Sequence, residues 1–473
     1  SLSLSFPHLC RSQNQLNKQS IKPNVLLLYV DDLRPELNCY DSNQIQSPNI
    51  DALARKGIKF TNAYCNVPVC GASRASMLTG MLPTKNRFLD YKTFVEEETP
   101  EAITLPELFN NNGYITISNG KIYHHLDDRE TDWDEVWRPY AFDKNDKGLA
   151  PTDYWQSLWK DYHLTENRLK YKETDRGPAY ESAEVPDSTY IDGLLAEKVI
   201  RDLKKLRLRN KPFFLTAGFI NTHLPFNAPK KYWDLYDRSQ IKLPENSKFP
   251  ETAPAVANHK WGELRYYKDI PKKGPIPDDL ATTLIHAYYA SVSFVDAQIG
   301  KLINALDELK LRENTIIVLV GDHGWSLSDH GLWAKHSNFE VALRVPLIIS
   351  SPGLKKNKKT KSIAELVDLY PTLCDLTNGE KPNHLHGYSL LESMNNPSKI
   401  FKIKALSRWQ KGETLIRQNL FYTEWKLPNR TVKMLFDHSV DPNETINLAN
   451  LKRYNDVVTS LSNELEKLNQ SFK

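Results

Sequence analysis

The chain has 473 residues, 40% of them hydrophobic, which is enough to bury one large core and a smaller one beside it. Its net charge of +4, spread rather than blocked, is too mild for a nucleic-acid binder, and no apolar run nears the roughly 18 residues that a membrane span needs. Five cysteines (Cys10, Cys39, Cys65, Cys70 and Cys374), none in CxxC spacing, exclude a disulfide framework and argue against a zinc or redox motif.

Residues 1–24 are polar and without period, which predicts a mobile arm. Within it, residues 2–10 are too short and too polar for a whole signal peptide and read at most as the remnant of one. Asn24–Val30 is a continuous apolar run that ends in Asp31-Asp32, the pattern of a buried strand in a parallel sheet. Ser47-Pro48 opens a helix, with Ser as cap and Pro at the first position. A strand at 58–63, a helix at 72–79, a helix at 105–112 and a strand at 114–118 follow. Residues 126–189 show little regular pattern yet hold Trp133, Trp137, Trp155 and Trp159, so they read as an ordered loop whose tryptophans mostly pack it down rather than stack on sugars. A long helix at 190–206, a strand at 213–219, a second long helix at 281–311 and strands at 315–320 and 347–349 complete the alternation. Such alternation predicts an α/β sheet covered by helices on both faces, over residues 25–384. Beyond 385 the pattern changes to short strand-like pieces at 415–418 and 432–436 and a terminal helix at 454–468. These predict a smaller C-terminal α+β subdomain over 385–473.

Two polar clusters sit where buried strands end: Asp31-Asp32 after Val30, and Asp322-His323 after Val320-Gly321. Ligands of open α/β sheets gather at the carboxyl ends of strands. Adjacent carboxylates there repel unless a cation holds them, and carboxylates favour a hard ion such as Ca²⁺. Either cluster alone would read as ordinary turn residues. Cys70 stands at the start of a short helix, in Cys70-Gly71-Ala72-Ser73-Arg74-Ala75-Ser76-Met77-Leu78-Thr79-Gly80, where the helix N-terminus would favour negative charge on sulfur. Alone it would read as a buried structural thiol.

The whole string resembles the signature of the formylglycine-dependent sulfatases: Cys, then Pro or Ala two residues on, Arg four residues on, and a closing Leu-Thr-Gly. Ala72 stands where Pro is commoner. The resemblance runs from about residue 24 to 450. Asn119-Gly120-Lys121-Ile122-Tyr123-His124 and Leu332-Trp333-Ala334-Lys335-His336-Ser337-Asn338 resemble the two sulfate-binding lysine motifs. Asn221-Thr222-His223-Leu224-Pro225-Phe226 resembles the motif of the His that faces the leaving oxygen. Asp437-His438 and Asp441-Pro442-Asn443-Glu444-Thr445-Ile446-Asn447-Leu448 resemble the C-terminal signature. Within the family, Asp322-His323 in place of Asp-Asn, the spacing from Lys121 to His124, and Arg34-Pro35-Glu36-Leu37-Asn38-Cys39-Tyr40 resemble the iduronate 2-sulfatase branch. Singly, each motif has a bland reading; jointly, they would need many coincidences in the right order.

The resemblance implies an alkaline-phosphatase-like fold with a mixed sheet, and oxidation of Cys70 to formylglycine by a maturation enzyme. It implies Ca²⁺ held by Asp31, Asp32, Asp322 and the converted Cys70, with His323 either binding the ion or sitting just outside it, and Arg74 steadying the carboxylates. The substrate it implies is a sulfated oligo- or polysaccharide such as a 2-O-sulfated uronate. Lys121 and Lys335 would offset the sulfate charge, and His223 would protonate the leaving oxygen. A hydrated formylglycine carries two hydroxyls: one attacks sulfur, and the other, losing its proton to His124, expels sulfate. His125 is an alternative to His124. Arg87 would meet a uronate carboxylate as a bidentate fork. The expected compartment is secreted, periplasmic or lysosomal-type. The competing readings are a phosphate or phosphonate monoester hydrolase of the same superfamily, and a non-catalytic carbohydrate-binding relative.

Overall fold

The unbroken apolar runs of the sequence form the middle of an eight-stranded mixed sheet. In this computed structural model, residues 22–125, 127–138, 161–174, 176–259 and 262–471 are described. Nearly all of the expected N-terminal arm, with Cys10, and both Trp155 and Trp159 lie outside the described residues. The strands run in the order Lys358–Glu365, Ile58–Tyr64, Arg344–Ser350, Thr315–Gly321, Asn24–Val30, Phe213–Phe219, Ile115–Gly120 and Glu135–Trp137. Arg344–Ser350 is antiparallel to both its neighbours, and every other pairing in the sheet is parallel.

Asn24–Val30, Phe213–Phe219 and Thr315–Gly321 are buried at every position, because both faces of the sheet are covered. Leu26, Leu28 and Val30 point into a core shared with the helices Ile191–Leu206 and Asp278–Glu308. Val25, Leu27 and Tyr29 point into a second core with Ala72, Ala75, Met77 and Leu78, from the helix Cys70–Thr79. The expected mixed sheet, with helices on both faces, is what forms.

Several elements differ from the sequence expectation. The helix carrying the signature starts at Cys70, not at residue 72. Ser47 does cap its helix by position, but its hydroxyl donates to Asp51 Oδ1 and accepts from Asn38 N–H, not from a backbone N–H of the helix's first turn. The stretch 126–189 is more regular than its pattern: it holds the strand Glu135–Trp137, the helix Thr165–Thr174, and the strand Tyr180–Ala183, which pairs with Phe226–Pro229. That helix reads TENRLKYKET, nearly all polar, so it has no apolar stripe to betray it. Trp133 is buried and stacks on Phe214 with ring centroids 5.7 Å apart, as expected for packing. The strand Lys358–Glu365 shows no apolar run because it lies at the sheet edge, with Lys358, Lys359 and Lys361 in solvent.

Toward the C-terminus, Lys404–Trp409, Gly412–Arg417, Leu420–Leu427 and Arg430–Asp437 form a four-stranded antiparallel sheet. One face packs Leu415, Tyr422 and Leu435 against Val458, Leu461 and Leu465 of the helix Asn455–Ser471. The other face sends Ala405, Ile416, Phe421 and Phe436 into the core of the large sheet. Cys39, Cys65, Cys70 and Cys374 are all free thiols. Among the described residues, no helix is long and apolar enough to cross a membrane.

Candidate active site

Four neighbouring parallel strands end at one edge of the sheet, and each releases a side chain of interest. Their register aligns Val30 with Gly321 on one side and with Phe219 on the other, and Gly120 with Gly218. Asp322-His323, Asp31-Asp32, His223 and Lys121 therefore emerge side by side. Thr222 Oγ1 donates to the carbonyls of Asp31 (3.1 Å) and Asp32 (2.9 Å), and Tyr288 Oη donates to Asp32 O at 2.9 Å, which ties the strand ends together. Cys70 reaches the same edge on the helix that follows Ile58–Tyr64. Gly71 lets that helix start close under Tyr91: a Cβ there would lie 2.6 Å from Tyr91 O.

Asp31, Asp32, Cys70 and His323 are all buried, and each offers a ligand atom within 4.8 Å of the others. Cys70 Sγ lies 3.2 Å from His323 Nε2. His323 Nδ1 lies 3.0 Å from Gly324 O, which can only accept, so the ring carries hydrogen on Nδ1 and presents Nε2 to the cluster. Asp322 is beside this group rather than in it. Its Oδ1 accepts from the backbone N–H of Asp32 and of His323, both at 3.0 Å, and its Oδ2 faces Arg74 Nε at 3.1 Å and Nη2 at 3.0 Å. Arg74 is wholly buried, also pairs with Asp31 Oδ1 at 3.2 Å, and lies over the Tyr29 ring.

Cations flank the cluster. Lys121 Nζ pairs with Asp31 Oδ2. Lys335 Nζ lies 3.3 Å from Asp32 Oδ2 and 3.1 Å from Glu263 Oε1. His223 Nε2 lies 3.0 Å from the same Glu263 oxygen and 3.9 Å from Asp32 Oδ2, and its Nδ1 lies 2.7 Å from Leu224 O. His124 and His125 part company: His125 stacks on Phe94 at 3.8 Å. Burial first, then the charges of Lys121 and His125, hold His124 well below its ordinary value, and Asp31 and Arg74 act on it too. Arg87 is not brought to the cluster. Its guanidinium donates to Leu82 O at 2.9 Å and lines a cavity of about 380 Å³ that also touches Lys85 and Arg408. A larger adjoining cleft, about 1160 Å³, is lined by Lys85, His259, His336, Arg408, Trp409 and Lys411, among others.

The electrostatics bear on position 70 and on the ion. Burial, then the Asp31 charge, pushes the Cys70 thiol up to about 12, so the helix N-terminus does not make it a thiolate at neutral pH. Burial pushes the Asp31 carboxyl up, but Lys121 and Arg74 overrule it and hold the group well below the usual range. Asp32 goes the other way, well above, through burial together with the neighbouring Asp31 charge, against the pull of Lys335. Asp31 Oδ1 and Asp32 Oδ1 are buried atoms with no hydrogen-bond partner. Two buried carboxylate oxygens that make no hydrogen bond, although Arg74 lies 3.2 Å from one and His323 Nδ1 3.4 Å from the other, fit a divalent cation together with an imidazole nitrogen. A thiol is a poor ligand for Ca²⁺, whereas an oxygen on the same carbon would suit it.

Glu263 joins the site without any motif to mark it. It is buried, and it faces His223, Lys335 and, at 3.9 Å from its Oε2, His336 Nδ1. It lies in a stretch without hydrophobic period or motif, so only three-dimensional convergence reveals it.

A family model described as Sulfatase matches residues 23–379, and one described as N-sulphoglucosamine sulphohydrolase, C-terminal, matches residues 328–471. Iduronate 2-sulfatase of Homo sapiens is 34% identical over 418 residues, covering 78% of this chain and 72% of that protein. A sulfatase of Formosa agariphila is 30% identical over 495 residues, covering 98% and 90%. Among solved structures, a phosphonate monoester hydrolase from Silicibacter pomeroyi superposes with a TM-score of 0.77 at 20% identity, covering 96% of each chain, a likeness of fold alone.

Proposed function

This chain belongs to the sulfatase family, and from that premise we propose that it hydrolyses the sulfate ester of a 2-O-sulfated uronate, or of a like residue in an anionic polysaccharide, using Ca²⁺ and a formylglycine at position 70. The observation that carries the proposal is the meeting of Asp31, Asp32, Cys70 and His323, within 4.8 Å of one another, between two buried lysines. When present, Ca²⁺ adds positive charge at the sulfate, and formylglycine supplies the attacking hydroxyl.

Each of the chain's own residues then has a task. Lys121 and Lys335 bind the sulfate oxygens and offset charge that a low-dielectric pocket would otherwise make costly. Arg74, held between Asp31 and Asp322, keeps the carboxylates in register. Asp322 acts with them through the backbone N–H groups it accepts. His223 gives a proton to the leaving sugar oxygen through Nε2. His124, neutral because it is buried among cations, takes a proton on the opposite side. Arg87 and Lys85 line a cavity next to the cleft and would meet an acidic sugar beyond the one being cleaved.

The cleft of about 1160 Å³ has room for more than one sugar ring, which favours an oligosaccharide. Such a polymer is met outside the cytoplasm, in a secreted, periplasmic or lysosomal-type compartment. A formylglycine-generating or equivalent maturation enzyme is the partner that the chemistry requires. Desulfation of defined oligosaccharides, with an aryl sulfate and an aryl phosphonate in parallel, tests the reading. Release of sulfate only from uronate 2-sulfates is the expected result. Faster phosphonate hydrolysis would favour the other branch of the superfamily, and no turnover of a converted protein would favour a binding role.

A further inference from the structure

Among the described residues, Glu263 is the one buried acid at the site that belongs to none of the strand ends. It comes from the segment between Phe226–Pro229 and the helix Asp278–Glu308, just before the short turn Leu264–Tyr266. Its Oε1 is shared: His223 Nε2 lies 3.0 Å away and Lys335 Nζ 3.1 Å away. Its Oε2 faces His336 Nδ1 at 3.9 Å. Three groups from two separate loops thus converge on one carboxylate that is 6% exposed. Isolated charges are not left in such a place, because burying an unpaired carboxylate or ammonium is strongly unfavourable.

The geometry fixes what this carboxylate can do. Lys335 has a second anchor in Asp32, at 3.3 Å. His223 has a second anchor in Leu224 O, through Nδ1. The Glu263 oxygen, at hydrogen-bonding distance from both, ties the two groups to each other and brings Nε2 and Nζ together beside Asp32 Oδ2. We propose that Glu263 is a positioning residue that couples the leaving-group histidine, His223, to the sulfate-binding lysine, Lys335, so that both present to one ester at once.

This inference rests on the sulfatase reading of the site. It goes beyond that reading because a carboxylate among sulfate-binding groups would by charge alone repel the substrate. Its benefit must therefore be geometric, and it must appear in more than one kinetic constant. Through Lys335, loss of Glu263 weakens the grip on sulfate and raises KM for every sulfate ester. Through His223, it slows only the esters whose alcohol needs a proton to leave.

The test uses formylglycine-converted full-length enzyme and its Glu263→Gln and Glu263→Ala variants, with an activated aryl sulfate and a sulfated uronate disaccharide as substrates. Calcium content and melting temperature are measured on each protein. Wild-type turnover of both substrates is the control that separates this inference from the sulfatase reading itself. In Glu263→Ala, kcat for the disaccharide should fall about 100-fold and kcat for the aryl sulfate no more than a few-fold, as for loss of an aligned general acid. KM should rise for both. Glu263→Gln keeps an acceptor oxygen in the same place and should recover much of the disaccharide rate. Adding Glu263→Ala to His223→Ala should lower the disaccharide kcat no further, since the two act on one step. Equal losses in kcat for both substrates would overturn the proposal, because general loosening does that. So would higher activity in Glu263→Ala, the result if the carboxylate only occupied the place of the sulfate.

Discussion

A sulfur at position 70 and an oxygen at position 70 make two different sites. With sulfur, the group of two carboxylates, an imidazole and a neutral thiol is mixed and suits no hard ion well. With oxygen, on the function proposed above, it would suit calcium. Active protein should therefore contain formylglycine at position 70, and activity should scale with its fraction, as peptide mass spectrometry across residues 65–74 would measure. Cys70→Ser should keep the fold and bind substrate while losing more than about 10³-fold in turnover, because serine has a single hydroxyl. Full activity from wholly unmodified protein would refute this. A second residue makes a prediction about pH. Asp192 accepts from the backbone N–H of Ile220 (3.0 Å) and Asn221 (2.8 Å), which sets the loop that leads to His223. Burial, outweighing those hydrogen bonds, raises its carboxyl from 3.8 to about 7. A group raised on folding contributes stability that is complete below its unfolded value and is lost as pH climbs through the folded one. Asp192→Asn, which cannot ionise, should therefore lose about 2 kcal/mol less than wild type between pH 5 and 8, as urea midpoints at the two pH values would show. An identical pH slope in both proteins would sink this account.

Two of the strands that carry the site approach closely because glycines face each other near their ends, Gly120 at the last position of one and Gly218 one before the last of the other. At Gly218 an added Cβ would lie 2.1 Å from Lys121 O, and at Gly120, where φ is +71°, it would lie 2.2 Å from Gly218 O. Gly218→Ala should cost about 1–3 kcal/mol in thermal unfolding and raise KM, because the strand end that bears Lys121 must move. A variant as stable and as active as wild type would contradict this. The elements also explain what the sequence made legible. Asn24–Val30 and Thr315–Gly321 could be read because a strand buried on both faces needs an unbroken apolar run, and because acidic residues stop that run at the ligand edge. The helix Thr165–Thr174 could not, being polar nearly all round, and the edge strand Lys358–Glu365 was hidden by its lysines. Asp31, Asp32, Cys70 and His323 were legible through motifs. Glu263 was not, since a carboxylate that serves two distant loops leaves no period in either of them.

Across the molecule, the two cores share one sheet, and the four-stranded sheet adds its inner face to the second core. The site sits where this whole assembly ends, so an ion bound there would brace strand ends that are nearly 300 residues apart along the chain. At a free concentration 100 times its Kd, such an ion adds about 2.7 kcal/mol to stability. Chelation should lower the melting temperature and abolish activity, added Ca²⁺ should restore both, and Asp31→Asn should melt at one temperature with or without Ca²⁺. Indifference of the wild-type protein to chelator would exclude the ion. The enclosure of Cys70 has another consequence, one of timing. Its side chain is 2% exposed, and His323, which comes 253 residues later, rests on its sulfur. Once that histidine has docked, the thiol is closed to any enzyme that would modify it. The conversion proposed above would therefore belong to the interval in which Cys70 has been made and the strand Thr315–Gly321 has not yet closed over it. A chain that folded without meeting its modifier in that interval should stay inert, and supplying the modifier afterwards should not rescue it without unfolding it first.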